Sequence, residues 1–421
     1  MLELVLRLLG YFLVGLLLIT CAWTLYNVPI LAVGVRDFVG SRRKLSAKRV
    51  LGGAFLPSFS IIVPVKNEAK VVGRLLSSIE RLNYPSSKVE VIIVEDGSTD
   101  GSFEVCEAYA RSHGGVRVLR RAVSDGKPSA LNFGLRHARG DIVAVFDADS
   151  VVDADALRNA AEYFADPAVA AVQGRTLSIN AKENMLTEFV SYEEAVWCEA
   201  YLRGKDALDL FVHLRGSCQF IRRDVLDALD GFDEKTLSED MEFSARLAER
   251  DYRIRYAPDV QSWQESPSSL RQLFTQRLRW FRGTMHVALR YGQLMARLNK
   301  KRIDAEATLF GPFVLIASLT GYLVAVYGLF APVFVDAFLR SILQFTALAT
   351  TVTLLMCGLA LVYVSKPMRM SNLLWLPFIY FYWSLQAFIA LYAALLILAR
   401  RPQKWVKTEK SGAVTATVFN L

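Results

Sequence analysis

Histidine and cysteine are scarce in this chain. Four histidines (His113, His137, His213 and His286) are scattered over 421 residues, so no zinc site is expected. Five cysteines (Cys21, Cys106, Cys198, Cys218 and Cys357) are equally dispersed, with no C-x-x-C pair. That excludes a disulfide framework and suits a reduced compartment. The P-loop pattern is missing too, because Gly126-Lys127 lacks the earlier glycine at the required spacing. Charge is absent from four stretches, 8–35, 309–334, 341–364 and 371–399. Each is long enough to cross a bilayer as a helix. The first is about twice the length of a signal-peptide core, and no small-residue cleavage site follows it. Arg36, Arg42, Arg43, Lys44, Lys48 and Arg49 come next, as expected of an anchor whose C-terminal end lies in the cytoplasm.

Hydrophobic residues make up 53% of the chain and the formal net charge is +8. The basic excess lies beside the apolar stretches and around 271–302, which predicts contact with a lipid bilayer. No nucleic-acid recognition motif accompanies it, so no nucleic-acid partner is expected. Lys366 and Arg369 fall on the cytoplasmic side after two further crossings, as the positive-inside rule requires. A fourth crossing would carry Arg400, Arg401, Lys404 and Lys407 to the other side, against that rule. Pro377 would instead break 371–399 into a re-entrant or interfacial segment, leaving a cytoplasmic C-terminus.

Residues 55–265 read as one α/β domain. FSIIVPV (59–65), VEVIIVED (89–96) and DIVAVFDAD (141–149) are apolar, β-branched runs that end in acidic loops. Helical patterns at 67–82, 100–113 and 127–139 separate them. Alternation of this kind predicts a Rossmann-like, mostly parallel sheet with ligands beyond the carboxyl ends of its strands. Glu95/Asp96 and Asp147/Asp149 fall at those ends. Along 268–302, Leu270, Leu273, Phe274, Leu278, Phe281, Met285 and Leu289 recur at helical spacing. Arg271, Arg277, Arg279, Arg282, Arg290 and Arg297 take much of the remaining surface, which predicts one or two amphipathic helices at the membrane face. The expected organisation is an anchor at 1–40, the α/β domain at 55–265, interfacial helices at 266–305, membrane helices at 306–400 and a tail at 401–421.

Several short motifs could carry chemistry. In Asp147-Ala148-Asp149 the i, i+2 spacing at a strand end turns one carboxylate toward a metal and the other toward a sugar or ribose; oxygen ligands suit Mg²⁺ or Mn²⁺. A solvated acidic turn gives the same letters. Asp96 could accept a hydrogen bond from a nucleotide base. The stretch DGSTDGSFEVCE, from Asp96 to Glu107, partly matches an EF-hand loop, which would make the chain a non-enzymatic calcium-binding membrane module. The strand-like VEVIIV before it speaks against that, since an EF-hand needs a helix there. Lys127 could reach a phosphate or stay solvated. Ser238-Glu239-Asp240 opens a helix, where acidic residues ordinarily act as caps. In Gln276-Arg277-Leu278-Arg279-Trp280, Arg279 could meet a diphosphate and Trp280 could stack on a sugar ring, although membrane interfaces favour such residues as well.

Taken in order, these residues resemble the processive, membrane-integrated family 2 glycosyltransferases, such as the cellulose, hyaluronan, chitin and poly-N-acetylglucosamine synthases. The resemblance runs through VPVKNEA, VEDGSTD, GKPSALNFGL, DADS, LRGSCQFIRRDVL, GFDEKTLSEDMEFSARL and QRLRW, from Phe59 to Trp280. It implies a GT-A domain using a UDP-sugar. Asp96 would bind uracil, with Glu68 and Lys127 also on the donor. Asp147 and Asp149 would serve donor and metal, with Asp149 the direct ligand to Mg²⁺ or Mn²⁺. Asp240 would be the general base, and Gln276, Arg279 and Trp280 would hold the diphosphate and the acceptor end. Trp405-Val406-Lys407-Thr408 is similar to a C-terminal segment that approaches the donor site in some synthases. Glu95 and Ser238 depart from the usual aspartate and threonine. The implied activity is inverting transfer to a growing polysaccharide at the cytoplasmic face of the plasma membrane. A lipid glycosyltransferase of the ceramide-glucosyltransferase kind, adding one sugar to a lipid acceptor, shares the same motifs.

Overall fold

A computed structural model of the protein describes residues 2–44, 55–294, 299–330, 337–364, 370–402 and 410–415. Helix α1 (Leu2–Lys44) leads into β1 (Phe59–Val65), α2 (Val72–Glu80), β2 (Val89–Asp96), α3 (Ser102–Ser112), β3 (Val116–Arg121), α4 (Lys127–Leu135) and β4 (Ile142–Val145). Next come β5 (Val151–Val152), α5 (Ala156–Phe164), β6 (Val169–Ser178), α6 (Met185–Val196), a π-helical segment (Trp197–Leu202) and α7 (Arg203–Ala207). The unit closes with β7 (Gln219–Arg222), α8 (Arg223–Ala228), α9 (Glu239–Glu249) and β8 (Arg253–Gln264). Beyond it lie α10 (Leu270–Tyr291), α11 (Lys300–Leu309), α12 (Gly311–Phe330), α13 (Ala337–Val364), a 3₁₀ turn (Met370–Trp375) and α14 (Leu376–Leu398).

The eight strands form one sheet in the order β3-β2-β1-β4-β7-β6-β8-β5. Strands β3, β2, β1 and β4 are mutually parallel, β7 runs against β4 and β6, β6 and β8 are parallel, and β5 opposes β8. The sheet is therefore mostly parallel, as the sequence predicts. Strand alternation divides the core into two layers. Phe59, Ile61, Val63 and Val65 pack on one side with Leu75 and Phe146, while Ile62, Ile92 and Val94 pack on the other with Leu131 and Val143. Each fully buried aliphatic side chain stabilises the fold by about 1.5–3 kcal/mol. Both faces being covered, the acidic loops are left at the strand ends.

The loop after β2 is not an EF-hand. A strand precedes it, its Asp100 carboxylate accepts from Ala69 N and Ser102 N (both 3.1 Å), and Glu107 pairs with Arg111 in α3 (3.0 Å). Two arginines of α10 also depart from the sequence expectation. Arg277 and Arg282 are only 9% and 8% exposed. Their partners, Glu193 and Tyr382 for one and the Arg401 carbonyl for the other, are far off in sequence.

Three of the described helical stretches are long and apolar enough to cross a membrane: Tyr11–Ser41, Gln344–Tyr363 and Leu373–Leu398. The uncharged stretch 309–334 is helical over Gly311–Phe330, and its last residues lie outside the described ones. Helix α14 lies along α10: Phe274 packs on Tyr392, and Met285 on Ala390 and Ala393. At its start, Trp375 and Phe378 pack on Phe189 of α6; at its end, Arg282 Nη2 donates to Arg401 O (2.8 Å). Both ends of α14 thus abut the α/β unit or α10.

Helix α1 meets the α/β unit backbone to backbone. A Cβ on Gly34 would overlap the Ala200 carbonyl, and one on Gly204 would overlap the Ile30 carbonyl. Alongside, Arg203 bridges Asp37 of α1 (3.1 Å) and Glu199 (2.6 Å). Lys48, Arg49, Arg297, Lys366, Arg369 and the whole of 403–409, with Trp405 to Thr408, lie outside the described residues.

Candidate active site

A cavity of about 280 Å³ opens at the carboxyl ends of β1, β2 and β4. Glu68, Asp96, Lys127, Asp147, Asp149, Asp240, Gln276, Arg279 and Trp280 all line it. Every candidate residue read from the sequence is therefore brought to one place. The parallel sheet supplies Glu68, Asp96 and the DAD carboxylates from consecutive strand ends. Helix α9 supplies Asp240 from its first turn, and α10 presents Gln276, Arg279, Trp280 and Thr284 from one face, as their spacing of three to four residues requires.

Asp96 is buried at the end of β2. Its carboxylate accepts from Ser124 Oγ (2.5 Å) and faces Arg121 (3.2 Å). Lys127, at the start of α4, sits among the acidic motifs. Its ammonium lies 2.7 Å from Asp147 Oδ1, 3.2 Å from Glu239 Oε1 and 2.8 Å from the Gly216 carbonyl. Burial alone would pull the Lys127 ammonium down, but Asp147, Glu239 and Asp240 outweigh it and leave it above the usual lysine value. Lys127 is thus the shared counter-ion of the DAD and SED motifs.

Asp240 lies opposite. Burial, with the Glu239 carboxylate beside it, pushes its carboxyl up to about 7; Lys127, the Met241 N–H and Arg279 hold it back from rising further. Its Oδ1 accepts from Met241 N at 2.8 Å. Gly216, at φ +78°, makes room: a Cβ there would lie 3.1 Å from Asp240 Oδ2 and 3.2 Å from Lys127 Nζ. A carboxylate with a pKa near neutrality in a cavity wall is suited to proton abstraction. Across the cavity, the buried Arg279 Nε has no hydrogen-bond partner among the described residues. Arg279 itself lines the cavity, where a guanidinium is a ready anion contact.

Asp149 is nearly buried, and its Oδ2 lies 2.6 Å from the ammonium of Lys410. Burial would raise the Asp149 carboxyl, but Lys410, the Glu265 N–H and Arg74 outweigh it and hold it below the usual range. Among the described residues no three His, Cys, Asp or Glu side chains converge as a metal cage. The residues nonetheless fit Mg²⁺ or Mn²⁺. Such ions take one or two carboxylates and complete their shell with water and substrate phosphate oxygens. The ammonium on Asp149 also marks that carboxylate as cation-seeking.

Sequence reasoning missed the segment that carries Lys410. Glu265, immediately after β8, accepts from Arg74 (2.5 Å), Ser411 N (2.9 Å) and Gly412 N (3.0 Å), and Thr415 N donates to Ile179 O (3.0 Å). Lys410 lies just past the Trp405–Thr408 segment, which was the available signal. His213 and Arg215 were missed too, although both line the cavity. Burial, with Lys205 and Arg215 near, pushes the His213 imidazole down to about 3, so it is neutral.

The mostly parallel sheet, with an acidic cavity at its strand ends, defines a GT-A type fold. The profile of the glycosyltransferase-like family 2 matches residues 57–283, and the chain belongs to that family. It is an enzyme, a glycosyltransferase. It is 28% identical to a probable glycosyltransferase, YdaM, of Bacillus subtilis over 405 residues, covering 92% of this chain and 94% of that one. It is 34% identical to the beta-monoglucosyldiacylglycerol synthase of Nostoc sp., over 64% of this chain and 57% of that enzyme. With the poly-beta-1,6-N-acetyl-D-glucosamine synthase of Staphylococcus epidermidis it shares 29% identity over 64% of this chain and 63% of that enzyme. The chain thus spans under two thirds of the length of both named synthases. Among solved structures, the fold is similar to a mannosyltransferase of Pyrobaculum calidifontis in complex with GDP-Man and Mn²⁺. The TM-score is 0.57, the identity 24%, and the match covers 92% of this chain and 100% of that one.

Proposed function

We propose that this enzyme transfers a sugar from a UDP-sugar to an acceptor hydroxyl at the cytoplasmic face of the cell membrane, with inversion. The observation that carries the reading is Asp240. Its near-neutral carboxyl shares one cavity with the DAD carboxylates, the unsatisfied Arg279 and the Trp280 ring.

Asp96 takes the uracil, and Glu68 and Lys127 line the path of the donor. Arg279, with Gln276, holds the diphosphate. Trp280 stacks on the acceptor end. Asp240 accepts the proton from the acceptor hydroxyl as its oxygen attacks the anomeric carbon. The bond from that carbon to the diphosphate breaks, UDP departs with the electron pair, and an α-linked donor gives a β-linked product. Mg²⁺ or Mn²⁺ on Asp149, with Asp147 beside it, would neutralise charge on the departing diphosphate.

The acceptor is a growing polysaccharide in the first reading, with addition repeated and the product moved across the membrane. The similarity to the Nostoc synthase favours a second reading, in which a diacylglycerol receives one sugar. Multi-pass membrane attachment rests on the apolar helices, and a cytoplasmic active site on the basic residues that follow the first apolar stretch.

The test is UDP release and product size. The full chain in lipid nanodiscs is given Mn²⁺ or Mg²⁺ and a panel of UDP-sugars. Release with a long product supports the polysaccharide reading. Release with one sugar on added diacylglycerol supports the other. No release with any UDP-sugar, by folded protein with both acceptors present, overturns both.

A further inference from the structure

Trp280 does not stand alone in the cavity wall. The guanidinium carbon of Arg277 lies 4.4 Å from the indole centroid. An indole has two faces, and a cation held over one leaves the other for a ligand. Arg277 occupies a position that the Q-x-x-R-W pattern leaves open, and none of the chemistry above uses it.

Arg277 is itself held, through one nitrogen. It is nearly buried, and its Nη2 donates to Glu193 Oε2 (2.5 Å) and to the Tyr382 hydroxyl (3.2 Å). That hydroxyl donates to the same Glu193 oxygen (2.9 Å), and Gln386 Nε2 donates to the other (2.9 Å). Glu193 comes from α6, Arg277 from α10, and Tyr382 and Gln386 from the apolar helix α14. A buried ion pair is costly to desolvate and is weak evidence of stability. Both bonds instead leave from Nη2, into a Glu193–Tyr382 pair that Gln386 also braces, and so anchor one edge of the guanidinium beside the ring that it covers.

We propose that Arg277 is a positioning residue: held by Glu193 and Tyr382, with Gln386 bracing Glu193, it sets the plane of the Trp280 indole, so that α14 governs how the acceptor is gripped. The acceptor half of this statement rests on the reading of Trp280 given above; the orientation half does not.

The variants are Tyr382→Phe, which removes only a hydroxyl, Glu193→Gln and Arg277→Lys, each in the full chain in nanodiscs. The probes are dioleoylglycerol vesicles and a β-1,6-linked N-acetylglucosamine tetramer, with UDP-sugar titration as the donor control. Tyr382→Phe is expected to raise acceptor KM about three- to tenfold and to leave UDP-sugar affinity unchanged. It is also expected to alter the near-UV circular dichroism that Trp280→Phe removes. In the Trp280→Phe background, Tyr382→Phe should then add nothing to acceptor KM. Equal effects in both backgrounds, or an unchanged near-UV signal in all three variants, overturn the proposal. If Trp280→Phe leaves acceptor KM unchanged while Tyr382→Phe still shifts the indole signal, the positioning role stands and the acceptor reading of Trp280 fails.

Discussion

The Lys410 ammonium lies 2.6 Å from Asp149 Oδ2, so a residue near the C-terminus neutralises the second carboxylate of the DAD motif. A cation arriving at Asp149 must displace or share with that ammonium. Lys410→Met is therefore expected to tighten Mn²⁺ binding in the absence of nucleotide. A charge-assisted hydrogen bond contributes about 1.5–3 kcal/mol, so the change should be about tenfold or more. Mn²⁺ titration by electron paramagnetic resonance reads it directly, and unchanged affinity would mean the ammonium does not compete.

Asp240 must be ionised to accept a proton. With its carboxyl raised to about 7, kcat/KM should climb as pH rises through that value and level off above it. Asp240→Asn should abolish this limb and lower kcat by about 10²–10⁴-fold, with UDP-sugar affinity retained. Lys127 holds the Asp240 carboxyl down, so Lys127→Met should move the limb to higher pH. A pH–rate profile of all three proteins checks the sign.

Gly216 is the hinge of the same geometry. At φ +78° an alanine is strained by about 1–2 kcal/mol. Its Cβ would also push Asp240 and Lys127 apart. Gly216→Ala is expected to lower the melting temperature and to reduce kcat by more than about tenfold, since small misplacements of catalytic groups are costly. Thermal unfolding alongside UDP release separates the two effects.

Arg279 lines the cavity, and its buried Nε has no hydrogen-bond partner among the described residues. Lysine at this position keeps the charge but loses the fork, and should weaken the inhibition constant of UDP by about tenfold. Inhibition kinetics with UDP measure it, and an unchanged constant would remove Arg279 from the diphosphate site.

The strands that carry the acidic loops were legible because burial on both faces demands long apolar runs. FSIIVPV and VEVIIVED match β1 and β2 at both ends. Strand β3, VRVLRR, was not, since its half-exposed residues alternate with arginines and leave no apolar run. The site motifs could be read because their chemistry is local in sequence. The partners of Arg277 and Arg282 could not, being supplied by α6, α14 and the chain after it, so helical spacing alone left both arginines on the surface of an interfacial helix. Lys410 escaped although the Trp405–Thr408 segment beside it pointed to the donor site, because its pairing with Asp149 spans most of the chain.

The contact of Gly34 with Ala200, and of Gly204 with Ile30, bears on how this chain can be rebuilt. An unrelated apolar helix spliced in for α1 would bring side chains where neither surface has space for a methyl group. In such a chimaera the substitute helix could not seat against the π-helical segment and α7. Helix α1 is therefore exchangeable only together with the surface that receives it.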